Sequence, residues 1–214
     1  MHDTQPLHAG MGTATLGPKV EDARAAVILI HGRGANAESI LQLGQEFGQA
    51  EIAYLAPQAR GGAWYPQRFI APLEANEPWL TSALEVVDNL VQQIEAVGIP
   101  AERIVIGGFS QGACLAVEYI ARNARRYGGA FAYSGGLIGP EGMTFQYPGN
   151  LAGTPVFLGC SDTDFHIPLE RVKESTTALQ ALGGQVTERI YAGMGHTVNL
   201  DEIEFVQQML TDLR

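Results

Sequence analysis

The protein has 214 residues, of which 46% are hydrophobic and 17% charged, and 13 basic against 23 acidic residues give a formal net charge of −10 at pH 7. A chain of this length can build a hydrophobic core that needs no metal or disulfide for stability, so residues 1–214 are expected to form a single domain. The excess of acidic residues excludes the basic surface by which proteins bind nucleic acids or anionic membranes.

The cysteines and the N-terminal segment predict a cytoplasmic protein with no part inserted in a membrane. Cys114 and Cys160 both lie in apolar sequence, which is typical of buried thiols in a reducing compartment. The N-terminus lacks the basic and apolar regions of a secretory signal, and no apolar run approaches the roughly 20 residues of a membrane span. Residues 1–20 are expected to be mobile or to add edge strands, and His2 and His8 are given no role.

Short apolar runs alternate with amphipathic stretches along the chain. This pattern predicts an α/β fold in which helices cover both faces of a mostly parallel sheet. Five continuous apolar runs predict buried strands, and the more alternating residues 186–191 predict a strand near an edge. The five runs are residues 27–30, 52–55, 104–106, 130–133 and 156–158.

Capping signals place the helices between these strands. Asn36 is the predicted N-cap of the first helix, which should end at Gly48. The sequence Ser82-Ala83-Leu84-Glu85 reads as a capping box that opens a second helix, and Gly98 stops it. Two further helices are expected, one after Pro168 and one that carries the stripe Ile203, Val206, Leu210 and Leu213.

Two stretches, residues 58–79 and 135–155, show no regular pattern and are predicted to be long loops. Long loops in a compact α/β domain usually carry function. We therefore expect substrate contacts in both.

The residues from Gly108 to Gly112 form the motif G-x-S-x-G, directly between a predicted strand and a predicted helix. In such a nucleophile elbow the serine has strained backbone angles, and neighbouring chain approaches so closely that only small residues fit on either side. The context predicts Ser110 as a nucleophile at the carboxyl end of the sheet.

A serine hydroxyl needs an imidazole to accept its proton and a carboxylate to orient that imidazole. His196 lies in a glycine-rich loop between the last predicted strand and the last predicted helix. Asp162 and Asp164 both follow an earlier strand, and either gives the chain order Ser, Asp, His of α/β-hydrolases. A metal site that includes His166 has less support, because no further ligands lie nearby in the sequence.

An oxyanion hole completes this chemistry, and two backbone amides are its predicted donors. One belongs to Gln111, directly after the serine, and the other to Arg33 in the sequence His31-Gly32-Arg33-Gly34. This sequence is not a dinucleotide-binding fingerprint, because Ala37 stands where the third glycine is needed. His31 is expected to form structural hydrogen bonds within the loop.

Taken together, these motifs resemble the carboxylesterase/phospholipase family of α/β-hydrolases, which includes small carboxylesterases, lysophospholipases and acyl-protein thioesterases. The resemblance covers about residues 25–212. It implies a sheet without a large cap domain, hydrolysis of small-molecule esters or thioesters without a cofactor, and frequent homodimers. The motifs are His31-Gly32-Arg33-Gly34, Ala56-Pro57, Trp64-Tyr65-Pro66, residues 107–112, Asp164-Phe165-His166-Ile167-Pro168 and residues 193–196.

The family pattern also bears on individual residues. It implies that Trp64 and Tyr65 form one wall of the substrate pocket, although core aromatics at a loop base are the alternative. The family's spacing to Pro168 implies Asp164 as the acid of the triad, whereas the spacing from the preceding glycine fits Asp162. Asp164 is preferred, because the proline opens the next helix and so fixes the exit of the loop, and Asp162 is the alternative. The family commonly has an apolar residue where Arg33 stands, so a preference for acidic or polar acyl groups is a hypothesis.

Two other functions fit part of the sequence. Dienelactone-hydrolase-like enzymes share the scaffold but have cysteine at the elbow, where this chain has Ser110. A binding protein that keeps the fold without catalysis is the second alternative, although each role in the triad has a candidate residue.

Overall fold

The computed structural model describes residues 7–213, which form a seven-stranded sheet with the order β1-β3-β2-β4-β5-β6-β7. β1 is antiparallel to β3 and all other neighbouring strands are parallel, which confirms the predicted sheet. The strands are β1 (Thr13–Leu16), β2 (Ala25–Ile30), β3 (Ile52–Pro57), β4 (Ile104–Phe109), β5 (Gly129–Tyr133), β6 (Pro155–Ser161) and β7 (Gln185–Tyr191). The helices are α1 (Ala37–Phe47), α2 (Trp79–Ala96), α3 (Gln111–Arg122), α4 (Leu169–Ala181) and α5 (Leu200–Thr211).

Helices cover both faces of the sheet, and each face has its own hydrophobic cluster. Successive side chains of a strand point to opposite faces, so Ile28 of β2 packs in the cluster under α2, α3 and α4, whereas its neighbour Leu29 packs under α1 and α5. Every residue of β2 is buried. β7 lies at the edge and is only partly buried, as its alternating sequence predicted. No helix in residues 7–213 is long and apolar enough to cross a membrane.

The first helix has the caps that the sequence predicted. The side chain of Asn36 accepts a hydrogen bond from the Ser39 amide at 2.8 Å, which satisfies one free donor at the start of α1. Gly48 ends the helix in the left-handed conformation with φ 65°.

The predicted start of the second helix is wrong by one turn. α2 begins at Trp79, and the carboxylate of Glu77 accepts a hydrogen bond from the Thr81 amide at 3.0 Å. The Ser82 hydroxyl instead accepts a hydrogen bond from the backbone amide of His8 at 3.0 Å. The Ser82 side chain, which the local sequence predicts to be a helix cap, therefore binds a residue 74 positions away.

The N-terminal segment supplies β1 as an edge strand, in agreement with one of the two expectations for residues 1–20. The expectation that His8 has no role is wrong, because its side chain is only 1% exposed and packs among the loops. Its Nε2 donates to the Trp64 carbonyl at 2.9 Å, and its Nδ1 accepts from the Arg60 amide at 3.1 Å. Burial lowers the pKa of this imidazole. His2 lies outside the described residues.

The carboxyl ends of parallel strands meet at one edge of a sheet, and three loops converge there. We call residues 58–69, which follow β3, the pocket loop. Residues 162–168, after β6, are the aspartate loop, and residues 192–199, after β7, are the histidine loop. The turn from β4 into α3 lies between them because β4 is near the middle of the sheet.

Candidate active site

The turn from β4 into α3 has the geometry of a nucleophile elbow. Ser110 has φ 56° and ψ −120°, a left-handed conformation that costs a residue with a side chain on the order of 1–3 kcal/mol. Its amide donates to the Tyr133 carbonyl at 2.9 Å, which helps to hold this conformation. A Cβ atom at Gly108 or at Gly112 would collide with the Ile30 carbonyl oxygen. Both glycines of the motif are therefore required by close approach of the backbone.

Ser110, His196 and Asp164 form a continuous hydrogen-bonded chain. The Nε2 atom of His196 lies 2.9 Å from the Ser110 Oγ atom, and its Nδ1 atom lies 2.7 Å from Asp164 Oδ2. An ionised carboxylate can only accept hydrogen bonds, so Nδ1 carries a proton and Nε2 is free to accept one from the serine hydroxyl. This tautomer is the one that a general base acting on Ser110 requires.

The carboxylate of Asp164 is buried and accepts several hydrogen bonds. Burial alone would raise its pKa, but hydrogen bonds from His196 and from the backbone amides of His166 and Ile167 outweigh burial and lower the pKa. The two amides donate at 2.8 and 3.1 Å. Asp164 therefore stays ionised at neutral pH and can stabilise an imidazolium.

Asp162 contacts the backbone of the histidine loop and not the imidazole. Its Oδ1 atom accepts a hydrogen bond from the Gly193 amide at 2.8 Å. The hydroxyl of Ser161, at the end of β6, accepts from the Gly195 amide at 2.9 Å. The structure thus places Asp164, and not Asp162, beside His196, while Asp162 and Ser161 hold the loop that carries His196. No pattern in the sequence indicates this role of Ser161.

Helix α5 begins immediately after the histidine loop with a reciprocal capping box. The side chain of Asn199 accepts from the Glu202 amide at 3.0 Å, and Glu202 Oε2 accepts from the Asn199 amide at 2.9 Å. Glu202 is fully buried, and its Oε1 atom has no hydrogen-bond partner in residues 7–213. Burial raises the pKa of this carboxyl to about 7.

The predicted oxyanion donors flank Ser110. Gln111 is the first residue of α3, and the amides of a helix's first turn have no acceptor within the helix. A Cβ atom at Gly32 would lie 3.3 Å from the Cβ atom of Ser110, so the loop that holds Arg33 passes directly beside the serine. Neither amide has a hydrogen-bond acceptor within the described part of the chain.

We call residues 31–34, which include the predicted donor Arg33, the oxyanion loop. His31 fixes this loop through the structural hydrogen bonds that were expected of it. Its Nε2 atom accepts from the Ala59 amide at 3.1 Å, and its Nδ1 atom donates to the Gly32 carbonyl at 2.8 Å. Both bonds suit a neutral imidazole, and burial lowers the pKa of His31. This histidine joins the oxyanion loop to the pocket loop.

The side chain of Gln111 also joins the elbow to the pocket loop, a function that sequence analysis missed. Its Oε1 atom accepts from the Trp64 amide and its Nε2 atom donates to the Tyr65 carbonyl, both at 2.9 Å. The indole N–H of Trp64 donates to the His31 carbonyl at 2.9 Å, and this side chain is completely buried. The expectation that Trp64 forms a pocket wall is therefore wrong, because its buried indole binds the backbone of His31 and does not line the cavity above Ser110.

An open cavity of about 520 Å³ lies above Ser110 and His196. Tyr65, Arg68 and Phe69 of the pocket loop line one side, and Cys114 of α3 and Ile167 of the aspartate loop contribute to the rest. Of the two predicted wall residues, Tyr65 alone reaches this cavity. Cys114 and Cys160 are both buried free thiols, as their apolar sequence predicted.

Comparisons with known proteins show which family the chain resembles. A model of the phospholipase/carboxylesterase family matches residues 12–213. Acyl-protein thioesterase 1 of Kluyveromyces lactis is 26% identical over 213 residues, which cover 90% of this chain and 93% of the relative. The protein of the same name from Saccharomyces cerevisiae is 29% identical over 207 residues, covering 87% and 91%.

One solved structure has a higher sequence identity to this chain than these two relatives have, and it matches nearly the whole of both chains. It is a phospholipase/carboxylesterase from Dyadobacter fermentans, with a TM-score of 0.90, 44% identity and coverage of 95% of this chain and 97% of that one. The nucleophile elbow, the sheet order and the family match lead to one conclusion. The chain belongs to the phospholipase/carboxylesterase family and is an ester hydrolase with the α/β-hydrolase fold.

Proposed function

We propose that the protein hydrolyses small-molecule carboxylic esters or thioesters through an acyl-enzyme formed on Ser110. The observation that carries the proposal is the hydrogen-bonded chain from Ser110 through His196 to Asp164, with distances of 2.9 and 2.7 Å, at the floor of an open cavity. The family membership and the names of the relatives support the same class of reaction.

In the first half of the reaction, His196 Nε2 accepts the hydroxyl proton as Ser110 Oγ attacks the substrate carbonyl. The amides of Arg33 and Gln111 donate to the oxyanion of the tetrahedral intermediate. Asp164 stabilises the imidazolium, which then protonates the departing alcohol or thiol. The serine is left acylated.

In the second half, His196 accepts a proton from water as the water oxygen attacks the acyl carbonyl. The same two amides stabilise the second tetrahedral intermediate. Collapse returns the proton to Ser110 Oγ and releases the carboxylic acid. No step requires a group beyond the side chains, the two amides and water.

Labelling with a fluorophosphonate and turnover of nitrophenyl esters of increasing acyl length test this proposal together. The wild type should be labelled and active, whereas Ser110→Ala should lose the label and nearly all turnover, with kcat lower by a factor of about 10⁴ or more. A thioester and an oxyester of the same acyl group would separate the two substrate types. Full activity in Ser110→Ala, or no activity and no label in the wild type, would favour the binding-protein alternative.

A further inference from the structure

Two arginines give the mouth of the cavity a positive charge that the protein as a whole does not have. The net charge of the chain is −10, yet Arg33 and Arg68 both line the cavity. Within the described part of the chain, none of the 14 lining residues is an aspartate or a glutamate. The local charge thus opposes the overall charge, which is typical of a site that selects charged ligands.

The charge of Arg33 is held in place but not neutralised. Its guanidinium donates to the carbonyl oxygens of Tyr65, Pro66 and Gln67, at 2.7, 3.0 and 2.7 Å. Carbonyl groups are neutral, so these bonds fix the position of the cation and leave its charge uncompensated. No carboxylate of residues 7–213 lies within ion-pair distance of this guanidinium.

Arg68 differs, since its backbone is fixed while its side chain remains available. The buried side chain of Asn76 accepts from the Gln67 amide at 2.8 Å and donates to the Arg68 carbonyl at 3.1 Å. The exposed guanidinium donates one hydrogen bond, to the His166 carbonyl at 3.3 Å. Within the described chain it too has no carboxylate partner. Most of its five N–H donors are therefore open to a ligand.

We propose that the preferred substrate carries an anionic group, a carboxylate or a phosphate, in addition to the ester that is cleaved, and that Arg68 binds this group. The proposal rests on the proposed ester hydrolysis and names its substrate class. A guanidinium pairs with either anion through two parallel hydrogen bonds. Arg33, bound to the pocket loop, contributes its charge to the same mouth without changing its position.

The geometry also explains why Arg68 and not Arg33 is the specificity-determining residue. Arg33 already uses donors on three carbonyl groups, and losing them would release the pocket loop. Arg68 can leave its single long bond to His166 at little cost, because a hydrogen bond exposed to water contributes little to stability. A substitution at Arg68 should therefore change substrate preference and leave the fold intact.

Two matched pairs of substrates test the proposal and distinguish the source of the anion. The nitrophenyl monoester of glutaric acid, compared with its neutral methyl ester, places a carboxylate on the acyl side. Butanoyl glycerol phosphate, compared with butanoyl glycerol, places a phosphate on the alcohol side. For at least one pair, kcat/KM of the wild type should be about tenfold or more higher for the anionic member.

The variant Arg68→Gln should lower that ratio about tenfold, through a fall in kcat/KM for the anionic member that exceeds any change for the neutral member. Arg125→Gln is the control, since it removes the same charge from an exposed ion pair with Glu95 and does not line the cavity. It should leave the ratio unchanged. Added salt should reduce the wild-type preference more than that of Arg68→Gln.

Two results would overturn the proposal: no preference for the anion in either pair, or a preference that Arg68→Gln leaves intact. In both cases turnover of the neutral esters and labelling of Ser110 would still support ester hydrolysis. Absence of turnover with all four substrates, together with absence of the label, would instead reject the proposed function itself.

Discussion

The two sides of the cavity are held in place by different means. On the side of the proposed triad, contacts between adjacent loops position His196, since Asp162 and Ser161 each accept a hydrogen bond from a backbone amide of the histidine loop. On the other side, buried polar side chains from distant parts of the sequence hold the pocket loop, among them His8 and Gln111. The triad side is thus held by loops that follow the neighbouring strands β6 and β7, whereas the pocket side depends on side chains from the N-terminal segment and from α3.

The two sides also respond to pH in opposite directions. Burial raises the pKa of Glu202, behind the histidine loop, and lowers the pKa values of His8 and His31, which hold the pocket loop. Rising pH therefore ionises the buried Glu202 carboxyl on the triad side, and this buried charge destabilises the folded state. As pH falls below the ordinary histidine pKa of 6.5, the unfolded chain binds protons that the buried His8 and His31 do not, so the folded state loses stability on the pocket side.

After Ser110→Ala, the largest effect is expected at Asp164, the acid of the proposed triad. Asp164→Asn keeps the shape of the side chain but favours the tautomer of His196 that cannot accept a proton from Ser110, so kcat should fall by a factor of about 10³–10⁴. Ester turnover by purified variant and wild type measures this. Circular dichroism provides the control, because the fold should be unchanged. A loss smaller than about tenfold would argue against Asp164 as the acid.

A large pH-dependent effect is expected at Glu202. Its pKa is raised from 4.5 to about 7, so the folded state binds more protons than the unfolded state between these values. Stability should therefore fall as pH rises through this window, by about 3 kcal/mol, and stay level above it. Glu202→Gln should lack this fall in the free energy of unfolding.

Urea denaturation at a series of pH values measures the effect at Glu202. Glu204→Gln is the matched control, because Glu204 lies on the same helix and is exposed. Its pH profile should follow that of the wild type. Parallel profiles for the wild type and Glu202→Gln would show that the buried carboxyl does not titrate in this window.

On the pocket side, Gln111→Ala should lower the free energy of unfolding by about 2–3 kcal/mol. The change leaves the buried Trp64 amide and Tyr65 carbonyl without their side-chain partner. KM should rise as the pocket loop loosens, and kcat should change less. The exposed Gln92→Ala is the control and should cost less than about 0.5 kcal/mol. Equal stability of the two variants would contradict the role given to Gln111.

The smallest effect is expected at Asp162, the other aspartate near the triad. Asp162→Ala removes the acceptor for the Gly193 amide and should lower kcat about tenfold by loosening the histidine loop. Asp162→Asn keeps an oxygen that can accept this hydrogen bond, so its kcat should stay close to that of the wild type. A fall in Asp162→Asn as large as that in Asp164→Asn would exchange the roles of the two aspartates.

The sequence predicted the parts of the site that depend on order along the chain. Ser110 and His196 stand out because a strand, a sharp turn and a helix must surround the first and a loop near the end must carry the second. Asp164 was preferred to Asp162 on its spacing to Pro168 alone, since the two lie two residues apart in one loop and only their partners differ.

The long-range contacts could not be predicted from local patterns. Ser82 reads as a helix cap, but its hydroxyl binds the backbone of His8, 74 residues away. Gln111 was assigned a backbone function alone, because nothing nearby in the sequence indicates that its side chain reaches Trp64 and Tyr65, 47 and 46 residues away. Such contacts depend on how the loops pack once the sheet has formed.

The buried position of His8 has a consequence for altering the N-terminus. A shortened chain that begins at Gly12 would keep β1, yet the Trp64 carbonyl and the Arg60 amide would lose the imidazole that binds both. Removal of the residues before the first strand should therefore disturb the substrate pocket, because His8 helps to hold Trp64 in the pocket loop. Fusion partners and affinity tags are better joined to the C-terminus, and deletions in this segment are best judged by substrate affinity as well as by stability.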